Sequence, residues 1–125
     1  MKQRPKILVV DKDENILSAF GNYLRKKNYS MTGVDNIAAG LKKIRQQGYN
    51  LLITDVRENS EFSKDFIARA KEEQNSLRII AITSYPDRIK EPELKSYGAD
   101  YLFVKPLELS MLNEAIEICL GSAAE

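Results

Sequence analysis

Five short apolar runs, each followed by a longer amphipathic stretch, limit the folds open to this chain more than any other feature. The runs are KILVV (6–10), YSMTGV (29–34), NLLIT (50–54), RIIAI (78–82) and YLFV (101–104), the second being the weakest. In the others apolarity is continuous rather than alternating, the pattern of strands covered on both faces. Helical spacing fills the intervals. Residues 14–27 place Ile16, Phe20 and Leu24 at i, i+4 and i+8, with Leu17 and Tyr23 beside them. Residues 37–47 carry Ala38, Leu41 and Ile44, with Asn36 as a cap and Gly48 as a stop. Residues 64–74 carry Phe66, Ile67 and Ala70, and residues 108–120 carry Leu109, Leu112, Ile116 and Cys119 or Leu120. The stretch 85–97 is less regular. Pro92 suits only the first turn of a helix, which predicts a short one from about Glu91 to a stop at Gly98. Strand–helix alternation repeated five times builds a parallel sheet with right-handed crossovers and helices on both faces, an α/β fold.

Composition narrows the function classes. The 125 residues make one domain, residues 1–125 with a core at about 5–120, and 43% hydrophobic residues supply one core. Nineteen basic against 18 acidic residues give a net charge of +1, without a clustered basic footprint, so neither a nucleic-acid nor a membrane partner is expected. The single cysteine, Cys119, excludes an intrachain disulfide and falls on an apolar stripe, where it reads as a small buried hydrophobe. Neither a secretory signal nor a spanning apolar run is seen, which makes a reducing, cytoplasmic setting the expectation. Histidine is absent, which excludes a Ser–His triad, a His-ligated metal and self-phosphorylation on His.

In a parallel sheet the ligand site lies beyond the carboxyl ends of the strands. Here those ends deliver Asp11, Lys12, Asp13 and Glu14, then Asp55, then Thr83 and Ser84, then Lys105 before Pro106. Each has an ordinary local reading. Asp11 with Glu14 makes a capping box, or Asp13 caps the first helix; Asp55 and Thr83 cap turns; Lys105 is a loop lysine. Caps and turns do not, however, require acids, a hydroxyl and a lysine on strands one, three, four and five together. The set fits phosphoryl transfer. A carboxylate can attack phosphorus to form an acyl phosphate, and the spread negative charge of the transferred group is met by a cation and hydrogen-bond donors. In that chemistry Asp55 is the nucleophile, Lys105 the fixed cation and Thr83 the hydroxyl donor, while acids after the first strand hold Mg²⁺ through oxygen.

The motifs ILVVDKDE, LLITDV, IIAITS and GADYLFVKP, spaced over nearly all of residues 5–120, resemble those of the response-regulator receiver domains of two-component signalling. The resemblance implies the flavodoxin-like (βα)5 fold, a doubly wound parallel sheet of strand order 2-1-3-4-5. It implies phosphorylation of Asp55 by a histidine kinase or phosphotransfer protein, and an Mg²⁺ ion held by Asp11, Asp55 and the backbone carbonyl of Arg57, with Asp13 a further candidate. It implies at most self-catalysed phosphotransfer and aspartyl-phosphate hydrolysis, rather than conventional enzymatic turnover. It also implies a homodimer or output contact through the helix 4–strand 5–helix 5 face, and a cis peptide at Lys105–Pro106.

The chain departs from the family pattern at four places. Lys12 stands where a second acid is usual. It swings out and leaves a weakened Mg²⁺ site, or Asp13 shifts in, or its ammonium sits near Asp55 and takes over part of the metal's charge role. At about 4 Å such a pair contributes roughly 1–4 kcal/mol of Coulomb energy before desolvation. The loop VRENSEFSKDF lacks the usual Pro and Gly, and its Arg57 and Glu58 are free to pair or to face a partner. Leu102 occupies the switch position usually held by Tyr or Phe, with Tyr101 and Phe103 on the opposite face of the strand. Pro92 enters the helix-four region. These departures leave an alternative open, a pseudo-receiver that acts as a phosphorylation-independent protein–protein interaction module. An enzyme of small-molecule phosphate metabolism is disfavoured because no Gly-rich phosphate loop is present.

Overall fold

In the structure, a computed structural model that describes residues 4–57 and 61–121 and the side chains of all but residues 61 and 62 of these, strands and helices alternate throughout. The strands are β1 Lys6–Val10, β2 Ser30–Val34, β3 Leu51–Asp55, β4 Arg78–Thr83 and β5 Tyr101–Val104. The helices are α1 Glu14–Lys26, α2 Ile37–Gln46, α3 Glu61–Glu73, α4 Glu91–Tyr97 and α5 Leu109–Leu120, with a single 3₁₀ turn at Pro86–Arg88. All strand pairs are parallel and the order is β2-β1-β3-β4-β5, as the resemblance implies.

Double coverage of the central strands produces two cores. Leu8, Val10, Leu52, Ile79 and Ala81 point to one side and pack with Ile44, Phe66, Ile67, Ala70 and Leu94 from α2, α3 and α4. Ile7, Val9, Leu51, Ile53, Ile80 and Ile82 point to the other and pack with Phe20, Leu24, Leu112, Ile116 and Cys119 from α1 and α5. β1, β3 and β4 are buried almost throughout, whereas edge strand β2 is only partly covered, which is why its run is the least apolar. Leu102 packs on the first core while Tyr101 and Phe103, stacked with ring centroids 6.2 Å apart, join the second.

Local chemistry sets the helix ends. Asp13, not an Asp11–Glu14 box, caps α1 by accepting the Asn15 N–H at 2.9 Å. Asn36 caps α2 through the Ala39 N–H at 2.7 Å. α1 closes with Asn28 at φ 67°, its N–H reaching the Arg25 carbonyl at 3.0 Å and the Tyr29 N–H reaching that of Leu24 at 3.0 Å. Gly48 has no such role. α2 ends at Gln47 in an extended conformation, and the positive-φ glycines among the described residues are Gly98 and Gly121. α3 starts three residues earlier than the expected 64. β3 and β4 each run one residue further than expected, through Asp55 and Thr83. Pro92 lies in the first turn of α4, and Lys105–Pro106 is cis. Cys119 is buried, and that burial raises its thiol pKa to about 11.

Gly98 ends α4 at φ 126°, a conformation that L side chains rarely adopt, and a Cβ there would lie 2.6 Å from Cγ of Lys71. The Lys71 side chain cannot easily yield, since its Nζ donates to the Leu77 carbonyl at 2.6 Å. Gly98→Ala is therefore expected to destabilise the domain by about 1–3 kcal/mol in urea unfolding, with little change in the slope of the transition.

Candidate functional site

The residues after β1, β3, β4 and β5 meet at one edge of the sheet because each strand continues its ladder a residue past its apolar run. The Asp11 N–H donates to the Val34 carbonyl at 3.1 Å, that of Val56 to Ile82 at 2.7 Å, and that of Lys105 to Thr83 at 2.8 Å. These bonds fix the backbone from which the polar side chains project.

Lys105 lies at the centre. Its Nζ donates to Asp11 Oδ2 at 2.9 Å and sits 3.1 Å from Asp55 Oδ1, so one ammonium bridges two carboxylates. Asp11 is 6% exposed, Asp55 12% and Lys105 18%, which places all three charges largely out of water. Asp11 Oδ1 also accepts the Asp13 N–H at 2.9 Å, a local turn that orients the carboxylate and leaves Oδ2 to the lysine. Burial raises the Asp55 pKa, the neighbouring Asp11 charge adds to it, and Lys105 and Arg57 only partly oppose them. Burial would lower the Lys105 pKa, but its hydrogen bond to Asp11 and the charge of Asp55 outweigh that and raise it. The ammonium therefore stays charged beside an acid whose ionised form is costly.

Thr83 is fully buried at the end of β4, and its Oγ1 accepts the Tyr85 N–H at 2.9 Å. That bond uses a lone pair, and among the described residues no group accepts the hydroxyl proton. Lys12 and Asp13 do not join the cluster. Lys12 is exposed and makes no ion pair with Asp55 among the described residues, and the Asp13 carboxylate is engaged at the start of α1. Arg57, expected for its backbone carbonyl and as a side chain free to pair or to face a partner, brings its guanidinium Nε to 3.8 Å from Asp55 Oδ2. A charged residue two positions after the acid was the only available hint, since the side chain's direction depends on the loop. Glu58, the other expected pairing residue of that loop, lies outside the described residues.

Among the described residues no three acidic, histidine or cysteine side chains gather into a metal cage. The donor set is nevertheless suited to Mg²⁺. Asp11 and Asp55 are hard oxygen donors, and Mg²⁺ commonly takes only one or two protein carboxylates beside water and phosphate oxygens. Chemically, the arrangement offers a nucleophilic oxygen on Asp55, a fixed cation, a buried hydroxyl and two hard oxygen donors.

Comparison with known proteins agrees with this fold. The response regulator receiver domain model matches residues 7–117. The response regulator ArlR of Staphylococcus haemolyticus is 32% identical over 114 residues, 91% of this chain and 52% of ArlR. The chain spans 27% of the length of two other curated relatives. A CheY-like receiver domain structure from Methanospirillum hungatei shares the fold at a TM-score of 0.85, with 24% identity and 96% of each chain covered. The structure of TrrA from Thermotoga maritima, solved with Mg²⁺–BeF, has a TM-score of 0.80 and 26% identity over 93% of this chain and 99% of that one. With its strand order, its edge cluster and a family match over most of its length, the chain belongs to the response regulator receiver domains of two-component systems.

Proposed function

We propose that this receiver domain is a phosphoacceptor switch in which Asp55 takes a phosphoryl group from a partner histidine kinase or phosphotransfer protein. The observation that carries the reading is the Lys105 ammonium held between Asp11 and Asp55 at the sheet's carboxyl edge. Asp55 offers the attacking oxygen, and its position at the end of β3 keeps it within reach of an incoming donor. Lys105, already charged and fixed, meets the negative charge that develops on the transferred group. Thr83 contributes its free hydroxyl proton to the same oxygens. Asp11 holds Lys105 in place and, with Asp55 and the Arg57 carbonyl, would hold Mg²⁺. Bound there, the ion would neutralise charge on the phosphoryl oxygens. Asp13 is left to its capping role.

An output surface fits the same reading. Tyr97 of α4, Val104 of β5, and Met111 and Ile118 of α5 are large exposed hydrophobics on the face of α4, β5 and α5, suited to a second copy or an output domain. No helix among the described residues is long and apolar enough to cross a membrane.

Incubation with Mg²⁺ and a small phosphodonor is expected to add the mass of one phosphoryl group in intact mass spectrometry, and Asp55→Asn to abolish it. No addition, under conditions that label another receiver, would favour the interaction-module alternative. Lys12→Asp restores an acid beside Asp11 and is expected to strengthen the Mg²⁺ dependence of labelling; unchanged dependence would count against a metal site weakened at that position. Asp55→Asn is also expected to raise the thermal midpoint at neutral pH without any phosphate. It removes a poorly solvated charge from beside Asp11 while the Lys105–Asp11 bond survives, and a gain of about 1 kcal/mol corresponds to a few degrees in a domain of this size.

A further inference from the structure

The pocket near Asp55 contains a second cation that the phosphoacceptor reading does not use. Asp55 Oδ1 faces Lys105 at 3.1 Å, and Oδ2 faces Arg57 Nε at 3.8 Å. Asp11 is likewise engaged at both oxygens, by the Asp13 N–H and by Lys105. Among the described residues, two carboxylates are thus matched by two side-chain cations, and the cluster is neutral before any ion enters. Lys12, for which supplying such a charge is one of three readings, is exposed and takes no part, as in the reading that has it swing out.

The two cations are held differently. Lys105 is 18% exposed and within hydrogen-bond distance of both carboxylates. Arg57 is 57% exposed, and 3.8 Å is beyond a hydrogen bond, so charge alone holds it there. It can leave at small cost and regains side-chain freedom when it does. Asp55 Oδ2 is also the oxygen of Asp55 not already facing Lys105, and so the natural one for a divalent ion to take.

We propose that the Arg57 side chain is a built-in, displaceable counter-cation for Asp55, one that occupies part of the divalent-ion site and must move aside for the ion to bind. The inference rests on the reading of Asp11 and Asp55 as the Mg²⁺ ligands. It makes Arg57 a positioning residue that sets how strongly the domain depends on the metal.

The test is calorimetric titration of the full chain with MgCl₂, comparing wild type, Arg57→Gln and Arg57→Lys. The glutamine variant is expected to bind Mg²⁺ about two- to fivefold more tightly, the range open to an exposed ion pair, with the lysine variant near wild type. The difference should shrink at high ionic strength, where such a pair is screened. In parallel, thermal unfolding in EDTA is expected to show Arg57→Gln lowering the midpoint in wild type but not in an Asp55→Asn background. Equal Mg²⁺ affinities with measurable binding would overturn the inference and leave the metal reading intact. Absence of Mg²⁺ binding in all three proteins would overturn both, while the phosphoacceptor role of Asp55 would still be decided by labelling. An EDTA stability loss of the same size in both backgrounds would also overturn it, since Arg57 would then act on something other than Asp55.

Discussion

Burial of β1, β3 and β4 on both faces is the constraint on which the rest of the molecule depends. A strand covered on two sides has no lateral exit for a polar side chain, so polar groups gather where the strands stop. Continuous apolarity in KILVV, LLIT and RIIAI thus produces the sheet and, by exclusion, its functional edge. The two cores differ in partners but share these strands, so alternate residues of β3 and β4 brace opposite layers.

At the edge the dominant interaction is a single ammonium shared by two acids. Neither ion pair stands alone. Asp11 orients Lys105, Lys105 tempers Asp55, and Asp55 remains the group with the most to gain from another cation or from covalent neutralisation. A carboxylate kept in this condition is less stable than it could be elsewhere, which is the usual relation between a reactive group and its fold. The cluster also shows how substitution at one position is absorbed by another. With Lys12 turned to solvent, the cation at the outer oxygen of Asp55 comes from the loop after β3 instead.

Most of the fold was legible because it follows from local rules. Asn36 caps, Pro92 begins a helix and Gly98 ends one by virtue of backbone chemistry that needs no knowledge of distant residues. Asp11, Asp55, Thr83 and Lys105 were legible for a related reason, since parallel strands bring their carboxyl ends to one place. Gly48 misled because the helix before it ends extended at Gln47, and a glycine beyond that point is not required. That Arg57 could pair was legible, but Asp55 as its partner was out of reach because the side chain's direction is set by a loop. So was the pairing of Lys64 with Glu93, which joins α3 to α4 across 29 residues of sequence and places the ammonium 5.7 Å from the Tyr97 ring centre. Such contacts depend on how two helices dock, and no periodicity announces them.

The ladder bonds that continue past the strands, from Asp11 to Val34, Val56 to Ile82 and Lys105 to Thr83, tie the site to strand register. A slip of one residue between β1 and β3, or between β4 and β5, would turn every side chain to the opposite face and carry the acid or the lysine away from its neighbour. Assembling the sheet correctly and assembling the pocket are consequently one event. A chain with a misaligned sheet has no partly formed pocket to offer, so the fraction of molecules with a working site counts the fraction whose strands found their proper alignment.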